Sequence, residues 1–198
     1  MDKVEGKSAA AAKAPAGLEG VVAAESSIGD VDGTNGVLIY QGYDIHDLAE
    51  RSTFEETVYL LWHGRLPKRE ELEALRGELA AASKLPEEVI AILRSFPRGA
   101  EPMGALRTAV SALAFYDEGA RDLSRGGALR SATRLTAQLP VIVAAFENIR
   151  NGRDPVEPKP GLDIASNFLY MLRGETPSER EARVFDVCLI LHADHELN

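Results

Sequence analysis

Four titratable side chains crowd the last residues of the chain: His192, Asp194, His195 and Glu196. They follow the apolar run Val187 to Leu191 and account for two of the four histidines in the molecule. An imidazole titrates near neutrality, so it can shuttle a proton or carry a positive charge at physiological pH. As a donor it can hold a substrate carboxylate through a charge-assisted hydrogen bond. His192 and His195 stand three residues apart, which puts them on one face of a helix with the acids adjacent, and such a group could hold a metal. HEXXH spacing and further clustered ligands are missing, so no metal ligand is assigned. His192 reads as a buried imidazole bonded to the backbone. A chain that stops at Asn198, directly after such a group, reads as cut rather than finished.

The remaining reactive groups have plainer readings. Cys188 lies inside the apolar run and is expected to be a buried, inert thiol. As the only cysteine it excludes an internal disulfide and suits a reducing compartment. His46 and His63 fall on amphipathic helices, at the surface or at helix ends. Trp62 and the Phe and Tyr residues at helical spacing read as core. Arg107 could face a ligand, but a salt bridge is the simpler expectation.

The elements that must position these groups are helices. The chain of 198 residues is one domain or a large part of a bigger one, and 45% of it is apolar. Ala and Leu are abundant and aromatics few. The net charge of −9 and scattered arginines argue against a nucleic-acid partner. No apolar stretch is long enough to span a membrane. Residues 1–16 mix Lys with Asp and Glu, lack the h-region of a signal peptide, and read as a flexible tail with the cytoplasm as location.

Residues 17–43 form a short β-prone segment. Val21 to Ala24 and Val37 to Tyr40 flank two turn signals, Asp32-Gly33 and Asn35-Gly36. A Gly-rich phosphate loop is disfavoured, because no GxGxxG or P-loop spacing is present. Strand is expected only before Tyr43.

Residues 44–198 read as helical. Asp44 caps a helix through Arg51. Ser52 and Thr53, each followed three residues later by Glu, are capping-box signals for a helix through His63, ended by Gly64. Pro67 stands near the first turn of the next helix, and Arg69 to Ser83 carries Leu72, Leu75 and Leu79 on one face. Pro86 starts another, through Ser95. Pro97 and Pro102 punctuate a loop, and Met103 to Phe115 is a small-residue helix suited to close packing. A long helix runs from Gly126 to Arg150 with Pro140 expected to kink it. Residues 153–160 connect to a helix from Leu162 to Leu172, and Pro177 starts the last one.

Four segments then carry a family likeness: FEETVYLLWHGRLPKREEL (54–72), EPMGALRTAVSAL (101–113), NFLYMLRGETPS (167–178) and LILHADHELN (189–198). In order and character they resemble the N-terminal part of a citrate synthase of the bacterial short-chain type, over about Gly17 to Asn198. The related 2-methylcitrate synthases share these segments. The resemblance implies a mainly α, multi-helical large domain, here truncated, with the small domain absent and a small β segment near the N-terminus. It implies a homodimer that condenses acetyl-CoA with oxaloacetate, acetyl-CoA entering as a substrate and no cofactor or metal being bound. His195 matches the oxaloacetate-binding histidine of the HADHE motif, and Asn198 an asparagine at the pocket wall. The family's catalytic histidine (in a GP-H-GGAN type segment), second catalytic histidine, catalytic aspartate and substrate-binding arginines have no match in this sequence. Catalytic residues are therefore expected from outside it. Two other readings stand beside this one: a non-catalytic helical module that binds a partner chain, and a small metal-binding helical protein.

Overall fold

The structure, a computed structural model, describes residues 26–194. Val21 to Ala24, the tail, and His195 to Asn198 lie outside the described residues. Within them the fold is a small antiparallel sheet followed by helices.

The sheet is a meander in the order β1 (Gly29–Asp32), β2 (Val37–Tyr40) and β3 (Tyr43–Asp44). The first turn forms at the Asp-Gly and Asn-Gly pairs. Asp32 Oδ1 accepts the amides of Thr34 and Asn35 at 3.0 and 3.1 Å, and Gly36 takes a φ of 69°. The second turn needs positive φ at two successive residues, Gln41 (48°) and Gly42 (85°), the pattern that matches strand twist in a two-residue hairpin. This turn continues the sheet to Tyr43 and Asp44, past the point where strand was expected to stop.

Helix α1 (Ile45–Arg51) starts at Asp44, whose carboxylate accepts the His46 amide. Helix α2 (Phe54–His63) opens with a capping box between Thr53 and Glu56 and closes at Gly64 in the left-handed conformation. Of the two possible boxes, the chain uses only this one. Ser52 ends α1, and Glu55 is released for another partner.

Helix α3 (Arg69–Ala82) begins two residues after Pro67, because Glu71 reaches back to the Lys68 amide at 2.8 Å. Helix α4 covers Glu87–Ser95. Pro102 is the first residue of α5 (Pro102–Leu113) rather than part of a loop, a position where its missing N–H goes unneeded. Glu101 caps α5 by accepting the amides of Met103 and Gly104 at 3.0 and 2.6 Å. Helix α5 gives way at Ala114 to a 3₁₀ turn through Tyr116.

Helix α6 (Arg125–Arg150) runs through Pro140 and is the hub of the fold, packing on α3, α4, α5 and α7. On α5, Ala105, Ala109 and Ala112 recur at helical spacing and are buried, so α5 can lie close against Val141, Ile142 and Ala145. Helix α7 (Ile164–Arg173) starts two residues later than expected, where Asp163 accepts the Ser166 amide. Helix α8 (Glu179–Leu191) starts at a Ser178–Glu181 capping box rather than at Pro177. It packs on α7, α1 and α2.

Two further expectations fail here. Phe115 and Tyr116 are exposed, Phe115 by 89%, so the aromatics at helical spacing are not all core. Arg107 is exposed and makes no ion pair among the described residues; only its field reaches Glu101.

Candidate functional site

Of the group singled out at the chain's end, His192 and Asp194 follow directly on α8. The helix does not sink into the core on all sides. Asp186 and Ile190, four residues apart, are buried, whereas Val184, Cys188 and Leu191 share the opposite face and are exposed. Cys188 is therefore an exposed thiol, contrary to expectation. A five-residue apolar run spans more than one turn, so a helix resting on one side must turn part of it outward.

The buried side is fastened at three levels. Asp186 Oδ1 accepts the Phe54 amide at 2.9 Å, which tethers α8 to the first residue of α2. Asp186 Oδ2 pairs with Arg183 at 2.7 Å. Arg183 also donates to the Ser52 carbonyl at 2.7 Å and to the Ala49 carbonyl, so it satisfies two backbone acceptors at the end of α1. Burial pushes the Asp186 carboxyl above its ordinary pKa, while the Phe54 amide and Arg183 pull it back. One turn on, Ile190 packs with Tyr40, Ile45, Leu48 and Leu60.

At the third level the helix ends. His192 caps it, and its Nδ1 lies 2.7 Å from the Cys188 carbonyl. A carbonyl can only accept, so Nδ1 carries the proton and Nε2 is left as the acceptor of the neutral ring. The expected backbone bond is present, but His192 is exposed rather than buried. The next turn is held by Tyr40, whose hydroxyl accepts the Asp194 amide at 3.3 Å and donates to the Asp194 carbonyl at 3.2 Å. Asp194 Oδ2 points towards β1, where a Cβ added to Gly29 would lie 2.8 Å from it.

The other predicted groups lie elsewhere. His46 is exposed beside Asp44, and His63 ends α2 stacked on Tyr59 with centroids 4.1 Å apart. His195, Glu196 and Asn198 fall outside the described residues. Of the four-residue constellation, the described part thus comprises His192 on the surface and Asp194 turned to the sheet.

One polar group escaped sequence reasoning. Glu55 is 1% exposed; its Oε1 accepts the Ile164 amide at 2.9 Å, and its Oε2 has no hydrogen-bond partner among the described residues. Burial raises its pKa, the Asp163 carboxylate adds to the rise, and Arg76 opposes it. Glu55 borders a cavity of about 660 Å³ between α3, α6 and the connector to α7, floored by Leu79 and Val141. Its only signal in the sequence is a second Glu in a doubled capping box.

Comparison with known proteins places this arrangement. The family model described as citrate synthase, C-terminal domain, matches residues 17–198. The citrate synthase of Haloferax volcanii is 50% identical over 186 residues, covering 92% of this chain and 49% of that protein. Citrate synthase 2 of Bacillus subtilis is 49% identical over 183 residues, with 92% and 49% covered. The crystal structure of citrate synthase from Pyrobaculum aerophilum superposes with a TM-score of 0.87 at 36% identity, over 99% of this chain and 52% of that one. The chain spans about half the length of the curated relatives it matches. With a family match over more than half its residues and a fold likeness over nearly all of those compared, the chain belongs to the citrate synthase family.

Proposed function

We propose that this chain forms the N-terminal part of the large domain of an enzyme that condenses acetyl-CoA with oxaloacetate to citrate and CoA. The observation that carries the reading is the family match over residues 17–198, which includes the HADHELN segment at the end of the sequence. In this reading His195 donates a hydrogen bond to an oxaloacetate carboxylate and Asn198 lines the same pocket. The residues that abstract the methyl proton, stabilise the enol and polarise the carbonyl come from outside this sequence.

The described residues supply the support such a site needs. A binding group must be held within a fraction of an ångström, on a rigid element whose own side chains are locked. Helix α8 meets that condition through Asp186, Arg183 and Ile190. Asp194 turns its carboxylate towards Gly29 of β1. No helix of the described residues is long and apolar enough to cross a membrane. The reading includes a cytoplasmic location and a homodimer, the latter supported by the exposed Met103, Phe115, Leu123, Leu135 and Val143.

The experiment is thiol release from acetyl-CoA with and without oxaloacetate. The complete enzyme carrying this chain is expected to release CoA only when oxaloacetate is present, and the 198-residue chain alone to release none. Loss of the base and both histidines removes several orders of magnitude in rate. Oxaloacetate-dependent turnover by the chain alone, at a rate typical of enzymes, would refute the placing of the catalytic groups outside it.

A further inference from the structure

We infer that Tyr40 and Gly29 are positioning residues for the oxaloacetate site, acting on His195 through Asp194. The inference rests on the reading of His195 given above and assigns the part of the fold that aims it.

Tyr40 and Gly29 face each other in the register of the β1–β2 ladder, so one rung of the sheet carries both. The Tyr40 ring is fully buried among Ile45, Leu48, Leu60 and Ile190, so it cannot swing without opening that cluster. Its hydroxyl emerges at the end of α8. The Leu191 carbonyl at 3.5 Å is too distant for a useful bond, which leaves the single proton for the Asp194 carbonyl at 3.2 Å while the Asp194 amide donates back at 3.3 Å. One oxygen thus grips a residue at both ends of its backbone.

Covalent geometry carries the grip forward. The Asp194 carbonyl belongs to the planar peptide unit that leads into residue 195, and that unit has no soft torsion within it. Fixing this oxygen therefore fixes the orientation of the peptide unit that follows Asp194. The hydrogen bonds on offer within the helix end are local ones, His192 to Leu189 at 3.3 Å and Ala193 to Ile190 at 3.2 Å. They shape the turn but do not tie it to the rest of the molecule. Tyr40 makes that tie across 154 residues of sequence.

Gly29 acts on the other side of Asp194. A Cβ there would lie 2.8 Å from Asp194 Oδ2 and 3.5 Å from the Ile39 carbonyl. Gly29 lies in a strand and is absent from the residues with positive φ, so the absence of a side chain serves close approach, not a turn. The sheet accepts the Asp194 carboxylate against bare backbone and its main chain on a tyrosine hydroxyl. A hairpin far upstream in sequence is in this way one wall of the mount for the substrate-binding turn.

The test uses three variants of the complete enzyme: Tyr40→Phe, Gly29→Ala and, as the reference, His195→Ala. Steady-state constants for both substrates and a thermal melt are measured for each. Removing one hydroxyl while keeping the ring should raise the oxaloacetate KM about three- to tenfold, the equivalent of one hydrogen bond. The acetyl-CoA KM should stay within about twofold, since that substrate is not held by the 194–195 peptide. Gly29→Ala should shift the oxaloacetate KM in the same direction by pressing on Asp194 from the opposite side. If Tyr40→Phe and Gly29→Ala lower the melting temperature but leave the oxaloacetate KM unchanged, while His195→Ala raises it, the two residues only pack and the inference is overturned. If His195→Ala itself leaves that KM unchanged, the reading of the site falls, and the inference with it.

Discussion

Glu55 of α2 accepts the amide of Ile164, the first residue of α7, at 2.9 Å, and so caps a helix that begins 109 residues later in the chain. An orphan amide at a helix start is thereby satisfied by a carboxylate from a different element. The other oxygen stays buried with no hydrogen-bond partner among the described residues. Replacing Glu55 by Ala should cost about 1–3 kcal/mol, because the Ile164 amide is left buried without an acceptor. Glu55→Gln should cost less, since its carbonyl oxygen can still accept. Urea titrations of the parent and both variants would check the order.

The same residue sets a pH dependence. Burial raises the folded pKa of both Glu55 and Asp186 above the ordinary value of an exposed carboxyl. A group raised in the folded state contributes stability that is complete below the unfolded pKa and is lost as pH rises through the folded value. Glu71, Glu101, Asp122 and Glu181 are lowered, Glu181 to about 2 by the Ser178 amide and hydroxyl and by Arg173, and they contribute in the opposite sense. The difference between parent and variant isolates the buried group. Glu55→Gln should gain on the parent as pH rises above about 4.3, the unfolded value for Glu. Equal pH profiles in thermal melts would contradict the assignment.

Arg183 joins α8 to α1 through the carbonyls of Ala49 and Ser52 and neutralises Asp186. Arg183→Ala should destabilise by about 1.5–3 kcal/mol, as expected for hydrogen bonds to a charged group. Adding Asp186→Asn should recover part of the loss, because the uncompensated carboxylate is then gone. A double-mutant cycle in urea measures the coupling, and simple additivity would show that the pair does not act as a unit.

Phe115 is 89% exposed and Leu123 93%, at the end of α5 and in the loop before α6. The proposed homodimer would cover apolar side chains such as these. Phe115→Asp should shift the complete enzyme towards smaller species in sedimentation at micromolar concentration. An unchanged distribution would remove Phe115 from the interface.

Much of this architecture was legible because its signals are local. Asp44, Thr53 with Glu56, and Gly64 each act within four residues of themselves, so their roles follow from type and spacing. The hairpin turn at Asp32 to Gly36 is equally local. The contacts that hold the candidate site are not. Tyr40 meets Asp194 and Glu55 meets Ile164 across more than a hundred residues, and no periodicity encodes such pairs. The run Val187 to Leu191 misled for a related reason. It names apolar residues but not the side from which α1 and α2 approach, and that side leaves Cys188 and Leu191 in solvent.

The most direct measurement of the central claim compares His195→Ala with His192→Ala in the complete enzyme, by steady-state kinetics with a thermal melt beside it. His192 is exposed and bonded to the Cys188 carbonyl, so its loss should lower the melting temperature slightly and leave both KM values near those of the parent. His195→Ala should raise the oxaloacetate KM by about tenfold or more, the worth of one charge-assisted hydrogen bond, with affinity for CoA nearly unchanged. A normal oxaloacetate KM and kcat in His195→Ala, together with loss of both in His192→Ala at unchanged stability, would reverse the two assignments.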